Sequence, residues 1–123
     1  MDYLVTPPAA TPWGFEPQEL AAALRERWPE AEVREVPQDD PTYAIDFTVD
    51  EGGRVDGALG RDGQTLGLTG DLEPAMAVAA WFRSQVPDEQ SLLFYDPAFN
   101  GQVPLTPGMD PASAARDYLD DAG

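Results

Sequence analysis

The clearest pattern along the chain is a period of two between residues 43 and 69. Large apolar residues stand at every second position from 43 to 49, and the alternation returns after the glycines at 52 and 53. Such alternation predicts strands with one buried and one solvated face. A three-residue loop at 51–53 and a type I′ turn on the Asp-Gly pair at 62–63 join three strands into a meander.

The two turns fix the register of this meander, and both registers bury the same face. The first sets Phe47 opposite Gly57, and the second sets Gly57 opposite Leu68. We therefore expect Gly57 to lie under large neighbours that cover a residue without a side chain. The buried face is predicted to carry eight large residues: Tyr43, Ile45, Phe47, Val49, Val55, Leu59, Leu66 and Leu68.

Three segments begin with an acidic residue followed by proline, which is typical of a helix start. The acid accepts free backbone N–H groups, and proline at the first helical position loses no hydrogen bond. Apolar residues follow at helical spacing, and the second segment, with Glu73 as its N-cap, is apolar nearly all round. The sequence predicts helices over residues 17–28, 74–86 and 111–121.

Shorter strands complete the predicted fold. A strand at 31–36 precedes the meander, and the apolar run 91–95 is expected to be covered on both faces. Residues 101–105 are predicted to form a short strand at an edge of the sheet or with a bulge, because Pro104 cannot donate a hydrogen bond, and residues 3–5 add one more strand. The order (β)-α-β-β-β-β-α-β-β-α, with two main helices packed against an antiparallel sheet, predicts a single α+β two-layer domain over residues 1–123.

The composition excludes several kinds of chemistry. The chain has no histidine and no cysteine, and its seven basic residues are all arginine. Zinc fingers, thiolate nucleophiles, Ser-His triads, disulfides and lysine Schiff bases are therefore excluded. We expect no catalytic residue and no cofactor.

The net charge of −16 is spread over the whole chain. A field of this sign repels nucleic-acid phosphate and attracts basic proteins, so we expect a basic or partly unfolded protein partner and no direct binding of nucleic acid. No stretch approaches the roughly 20 apolar residues of a membrane span. The N-terminus lacks the pattern of a secretory signal, so the cytoplasm is the expected location and no membrane contact is expected.

Four aromatic residues are candidate contacts with such a partner. Tyr95 and Phe99 lie in the loop 95–101 between two apolar strands, and loops carry function disproportionately. Trp13 and Phe15 lie in a proline-rich segment that cannot form regular structure. Each pair has a structural alternative, which is a plain turn for the first and a loop packed onto the core beside the first helix for the second.

The carboxylates of the meander offer a rival function. Asp46, Asp50 and Asp56 are expected on its solvated face, where they would bind a divalent cation or act as paired carboxylates in a hydrolase. A flat, solvated face does not separate two carboxylate pKa values, and residues 46–53 do not follow the calcium-loop pattern. A DNA-mimic inhibitor is a third alternative.

Two resemblances point to protein binding. The element order, small size and acidity resemble the class I type III secretion chaperones, with one additional strand at 64–69. The stretch LLFYDPAFNGQVPLTPG (92–108) resembles the strand–turn–strand ends of some immunity proteins of bacterial polymorphic toxins. Both imply a non-enzymatic protein-binding domain, and the first also implies a homodimer.

Overall fold

The computed structural model describes residues 2–9, 11–37 and 39–122. In this part of the chain, seven strands form one antiparallel sheet that is packed against three helices, which confirms the α+β two-layer class. The strands are β1 (Asp2–Thr6), β2 (Glu32–Glu35), β3 (Tyr43–Asp50), β4 (Arg54–Gly60), β5 (Leu66–Thr69), β6 (Leu92–Tyr95) and β7 (Gln102–Leu105). The helices are α1 (Pro17–Arg27), α2 (Leu72–Ser84) and α3 (Pro111–Ala122).

β2 to β5 form a meander. Its last three strands have the predicted registers, apart from the start of β3. Phe47 pairs with Gly57, and Gly57 pairs with Leu68. Gly52 has a φ of 75°, so a glycine supplies the left-handed position in the β3–β4 loop. From Ile45 onward, the alternation of apolar residues therefore predicted the buried face of these strands correctly.

The turn between β4 and β5 differs from the predicted type I′ turn. That turn needs a positive φ at both central residues, but in the pair 62–63 only Gly63 has one, at 72°. The N–H of Gly63 donates to the carbonyl of Gly60 at 3.0 Å. The carboxylate of Asp62 accepts the N–H groups of Gln64 and Thr65, so its side chain stabilises a looser turn with the same register.

A bulge at the start of β3 corrects the predicted core. The register shifts by one residue between Tyr43 and Ile45, which turns Tyr43 to the face opposite Ile45. Tyr43 is 44% exposed, and Ala44 is buried instead. The prediction that Tyr43 belongs to the core is therefore wrong.

β1 lies in the middle of the sheet, between β5 and β6. The strand order is β2-β3-β4-β5-β1-β6-β7, so the N-terminal strand joins the meander to the β6–β7 hairpin. Leu4 pairs with Gly67 on one side and with Tyr95 on the other. β7, which contains Pro104, forms one edge of the sheet, as predicted.

The helices begin at or near the predicted residues. Glu16 caps α1 by accepting the N–H of Glu19 at 3.0 Å. α2 begins two residues early, with Asp71 rather than Glu73 as N-cap, and Pro74 falls in the first turn, where its missing N–H breaks no helical bond. Within the described residues, no helix is both long and apolar enough to cross a membrane.

The core lies between the helices and one face of the sheet. Aromatic and aliphatic side chains of all three helices meet the buried face there. Its largest members include Leu20, Leu24, Phe47, Met76, Phe82, Phe94 and Tyr118. The alternate residues of the strands point the other way, and they form the face of the sheet that none of the three described helices covers.

Candidate functional site

The face of the sheet that points away from the helices is here called the open face. Its residues are half-buried or exposed, whereas their neighbours along each strand are mostly buried. Because every strand pair is antiparallel and in a defined register, these residues fall into rows that cross the sheet. Two adjacent rows differ sharply in chemistry.

The first row is apolar through its middle. It passes from Asp46 on β3 to Ala58, Gly67, Leu4 and Tyr95 on β4, β5, β1 and β6. Each residue stands directly opposite the next. The middle of this apolar row forms a depression in the sheet surface, because Gly67 has no side chain and Ala58 has only a methyl group.

The second row is polar. It runs through Thr48, Asp56, Thr69 and Asp2. The hydroxyl of Thr48 donates to Asp56 at 2.7 Å, and the hydroxyl of Thr69 donates to Asp2 at 2.8 Å. The bond from Thr48 lowers the pKa of Asp56 below its ordinary value, and it does so against a smaller opposing effect of burial. Asp56 therefore carries its negative charge throughout the neutral range.

Two connections border these rows and complete a groove of about 520 Å³ on the open face. Val36, Asp40 and Tyr43 line it on the side of the β2–β3 connection, and Pro97 lines it after β6. The N–H groups of Thr42 and then Tyr43 donate to Asp40 and lower its pKa. The lining also includes four aspartates, here called the acidic rim: Asp2, Asp40, Asp46 and Asp56.

Tyr95 and Phe99 form a stacked aromatic pair at the far end of the apolar row. Their ring centroids are 4.9 Å apart, and their planes differ by 6°. Phe99 is 68% exposed, with a φ of 55°. A left-handed backbone costs a non-glycine residue on the order of 1 kcal/mol. The structure thus brings these two predicted contact residues together on the surface.

Asp96 holds the loop that carries this pair. Its carboxylate is buried and accepts the N–H of Gly101 at 3.0 Å, the hydroxyl of Tyr118 at 3.1 Å and the amide of Asn100 at 3.1 Å. Burial alone would raise the pKa of Asp96, but these bonds, that of Gly101 first, outweigh it and lower the pKa. The loop is therefore tied to α3 through an ionised carboxylate.

The bond between Tyr118 and Asp96 predicts a loss of stability at alkaline pH. Burial, followed by the bond to Asp96, raises the pKa of Tyr118 to about 12. The unfolded chain releases this proton near pH 10, so the contribution is complete below pH 10 and is lost as the pH rises to about 12. We expect the free energy of unfolding, measured with urea, to fall across this range.

Tyr118→Phe is the matched control, because it removes the titrating hydroxyl and keeps the ring. We expect a shallower alkaline decline in this variant. Part of the slope remains through Tyr3, whose pKa is also raised, first by burial and then by Asp71 and Asp96. Identical slopes in the two proteins would show that Tyr118 titrates normally.

Trp13 and Phe15 lie on the other side of the sheet from Tyr95. Their rings meet edge to face at 5.3 Å, and Phe15 packs against the buried Phe82 with centroids 5.1 Å apart. The N–H of Phe15 donates to the carbonyl of Gly63 at 2.7 Å. Both aromatics are half-buried against the core, so the structure does not bring them together with the stacked pair of Tyr95 and Phe99.

Two of the three aspartates considered as a cation site form separate ion pairs, and the third lies at the end of a hairpin strand. Asp46 pairs with Arg34 at 2.6 Å, and Asp56 pairs with Arg54 at 3.2 Å. Asp50 is the last residue of β3. In the described part of the chain, no group of three or more acidic side chains is placed to hold a metal ion.

Nothing in the sequence pattern indicates the groove itself. Leu4, Ala58 and Gly67 line it but were not candidate contacts, and Tyr43 was expected in the core. The alternation of Leu4 with the buried Tyr3 is a usable signal that Leu4 faces the other side of the sheet.

The fold and this face together define an acidic α+β domain with an apolar groove on its open sheet. No protein-family model, curated protein or solved structure matches the chain.

Proposed function

We propose that this protein is a non-enzymatic binding domain that holds a basic or partly unfolded protein partner on its open face. One observation carries the proposal. The exposed ring of Phe99 is stacked on the half-buried Tyr95 at the end of an apolar row whose groove has an acidic rim. An apolar patch bordered by polar residues is the usual surface of a protein-binding site.

The aromatic pair would supply most of the affinity. Exposed aromatic rings bury a large area when a partner covers them, and aromatic residues are enriched among the contacts that dominate binding energy. Tyr95 and Phe99 are already stacked, so little side-chain entropy remains to be lost on binding. The net charge of −16 would act mainly on the association rate and on the choice of a basic partner.

The backbone of Phe99 supports the same proposal. At a φ of 55°, glycine or asparagine would be less strained than phenylalanine. The loop nevertheless places a large apolar side chain there, and burial of that side chain contributes little to folding. Such local strain is typical of residues kept for function rather than stability.

The proposal is tested by comparing how well the original protein and its variant Phe99→Asn capture basic proteins. Asparagine tolerates the left-handed backbone, so the variant is expected to fold as well as the original protein and to lack only the exposed ring. We expect the original protein to capture basic proteins at low ionic strength, with recovery falling as salt is added. Phe99→Asn should reduce recovery by about tenfold.

Leu119→Ser provides the matched control. Leu119 is also a large exposed apolar residue, at 57%, but it lies on α3. Its replacement should leave recovery unchanged. Equal recovery by the original protein and Phe99→Asn, or capture that does not respond to salt, would contradict the proposed function.

A further inference from the structure

We infer that the groove on the open face seats an extended segment of the basic partner, with an apolar side chain over Ala58 and Gly67 and basic side chains against the acidic rim. This inference rests on the proposed function and adds the place and the chemistry of the contact. It follows from the shape of the groove, the free carboxylate oxygens around it and the length of its floor.

Gly67 leaves space on the floor of the groove, because it has no side chain. A Cβ at Gly67 would project into open space, with the carbonyl oxygen of Ala58 and Cδ2 of Leu4 as its nearest neighbours, both at 4.0 Å. The neighbouring glycine on β4 has the opposite surroundings, since a Cβ at Gly57 would lie 2.2 Å from the ring of Phe47. Gly57 is thus required by the core, whereas the core does not require Gly67.

The rim retains unused carboxylate oxygens. Asp46 and Asp56 each use Oδ1 for their contacts with Arg34 and Arg54. Among the described residues, Oδ2 of these two aspartates accepts no hydrogen bond. A guanidinium or ammonium group of a partner can bind there without breaking the existing pairs.

Charge favours a basic partner over a second copy of this chain. Two copies meeting through the open face would bring two acidic rims together, and each copy carries a net charge of −16. Like charges in close contact are costly at an interface. A basic segment is instead attracted to the aspartates of the acidic rim.

The length of the groove fits an extended segment. Its lining crosses four adjacent strands, β3, β4, β5 and β1. Adjacent strands are about 4.8 Å apart, so the floor spans roughly 15 Å, which is the length of four or five extended residues. One apolar side chain over the glycine and basic side chains two residues before and after it point to the same face of an extended segment, so they can lie in the groove together.

Fluorescence anisotropy with three labelled decapeptides tests the inference. The first repeats arginine-serine-valine-serine, so that arginine and valine share one face when the peptide is extended. The second has serine in place of valine, and the third has glutamate in place of arginine. We expect the arginine–valine peptide to bind most tightly and the glutamate peptide not to bind. Gly67→Val should lower the affinity for the arginine–valine peptide by about tenfold or more, because the new side chain occupies the floor of the groove.

Two controls separate a filled groove from a damaged fold. Valine is favoured in strands, so Gly67→Val should unfold at the same or a higher urea concentration than the original protein. Ser91→Val adds the same side chain at an exposed residue outside the groove, and it should leave binding unchanged. If Gly67→Val does not fold, Gly67→Ala replaces it with a smaller expected loss of affinity.

The outcomes distinguish this inference from the proposed function. If both arginine peptides bind with equal affinity and Gly67→Val does not change it, the groove is not the binding site. The basic partner then binds elsewhere on the protein. If neither arginine peptide binds, the inference that the groove seats a basic segment is also wrong. The capture experiment tests the proposed function separately. Self-association that Gly67→Val abolishes, measured by sedimentation, would identify a second copy as the occupant and overturn the inference.

Discussion

Gly57→Ala is expected to lower the free energy of unfolding by about 3 kcal/mol, the upper end of the range for overpacked cores. The added Cβ would lie 2.2 Å from Cζ of Phe47 and 2.5 and 2.7 Å from its two Cε atoms. Phe47 cannot move aside without cost, because it is 1% exposed and surrounded by the core. Alanine therefore forces either the ring or the strand out of place.

Gly67→Ala is the matched control for this effect. Both glycines lie in the paired strands β4 and β5, but the side chain at 67 would point to the open face and meet nothing closer than 4.0 Å. We expect its free energy of unfolding in urea to change by less than about 0.5 kcal/mol. The midpoint of thermal unfolding of Gly57→Ala should fall by roughly 10 °C. Equal effects at the two positions would contradict the assignment of the two faces.

The meander was predictable because its information is local. Strands β3 to β5 are consecutive and joined by short turns, so the register follows from turn position and from the period of two. The pairing of Phe47 with Gly57 is the clearest case. The bulge that exposes Tyr43 was not predictable in this way, because one extra residue changes the face without changing the composition of the strand.

The place of β1 could not be predicted from the pattern. Residues 3–5 indicate a strand, but nothing in them shows that β5 and β6 lie on its two sides. Pairing between segments that are distant in the sequence depends on the whole core, since β1, β5 and β6 pack against the same layer of helices. The groove depends on this placement, because Leu4 and Gly67 become neighbours only when β1 pairs with β5.

The candidate site was predicted only in its local part. Tyr95 and Phe99 lie four residues apart in one loop, so their joint display could be expected from the turn residues between them. The acidic rim combines residues from β1, β3, β4 and the β2–β3 connection, whereas the sequence alone shows only the total charge. A surface formed across strands is set by tertiary register, which composition does not contain.

Arg83 is a buried cation that the sequence-based helix pattern did not identify. It is 2% exposed, and its guanidinium donates to the carbonyl oxygens of Leu105, Val86, Pro87 and Asp88 at 3.0 to 3.4 Å. These carbonyls belong to β7 and to the segment that follows α2. The planar group with five N–H donors suits several fixed acceptors at once, and a positive charge is also favoured at the C-terminal end of a helix.

Arg83→Met is expected to lower the free energy of unfolding by about 4 kcal/mol, because it keeps the length of the side chain but leaves several buried carbonyls without a donor. Arg83→Lys retains the charge with fewer, differently placed donors, so urea denaturation should give an intermediate loss. Arg116→Met, at an exposed position on α3, should change the stability by less than about 0.5 kcal/mol. Equal stability of Arg83→Met and Arg116→Met would show that the carbonyls around Arg83 find other donors, and that this guanidinium does not hold β7 to the end of α2.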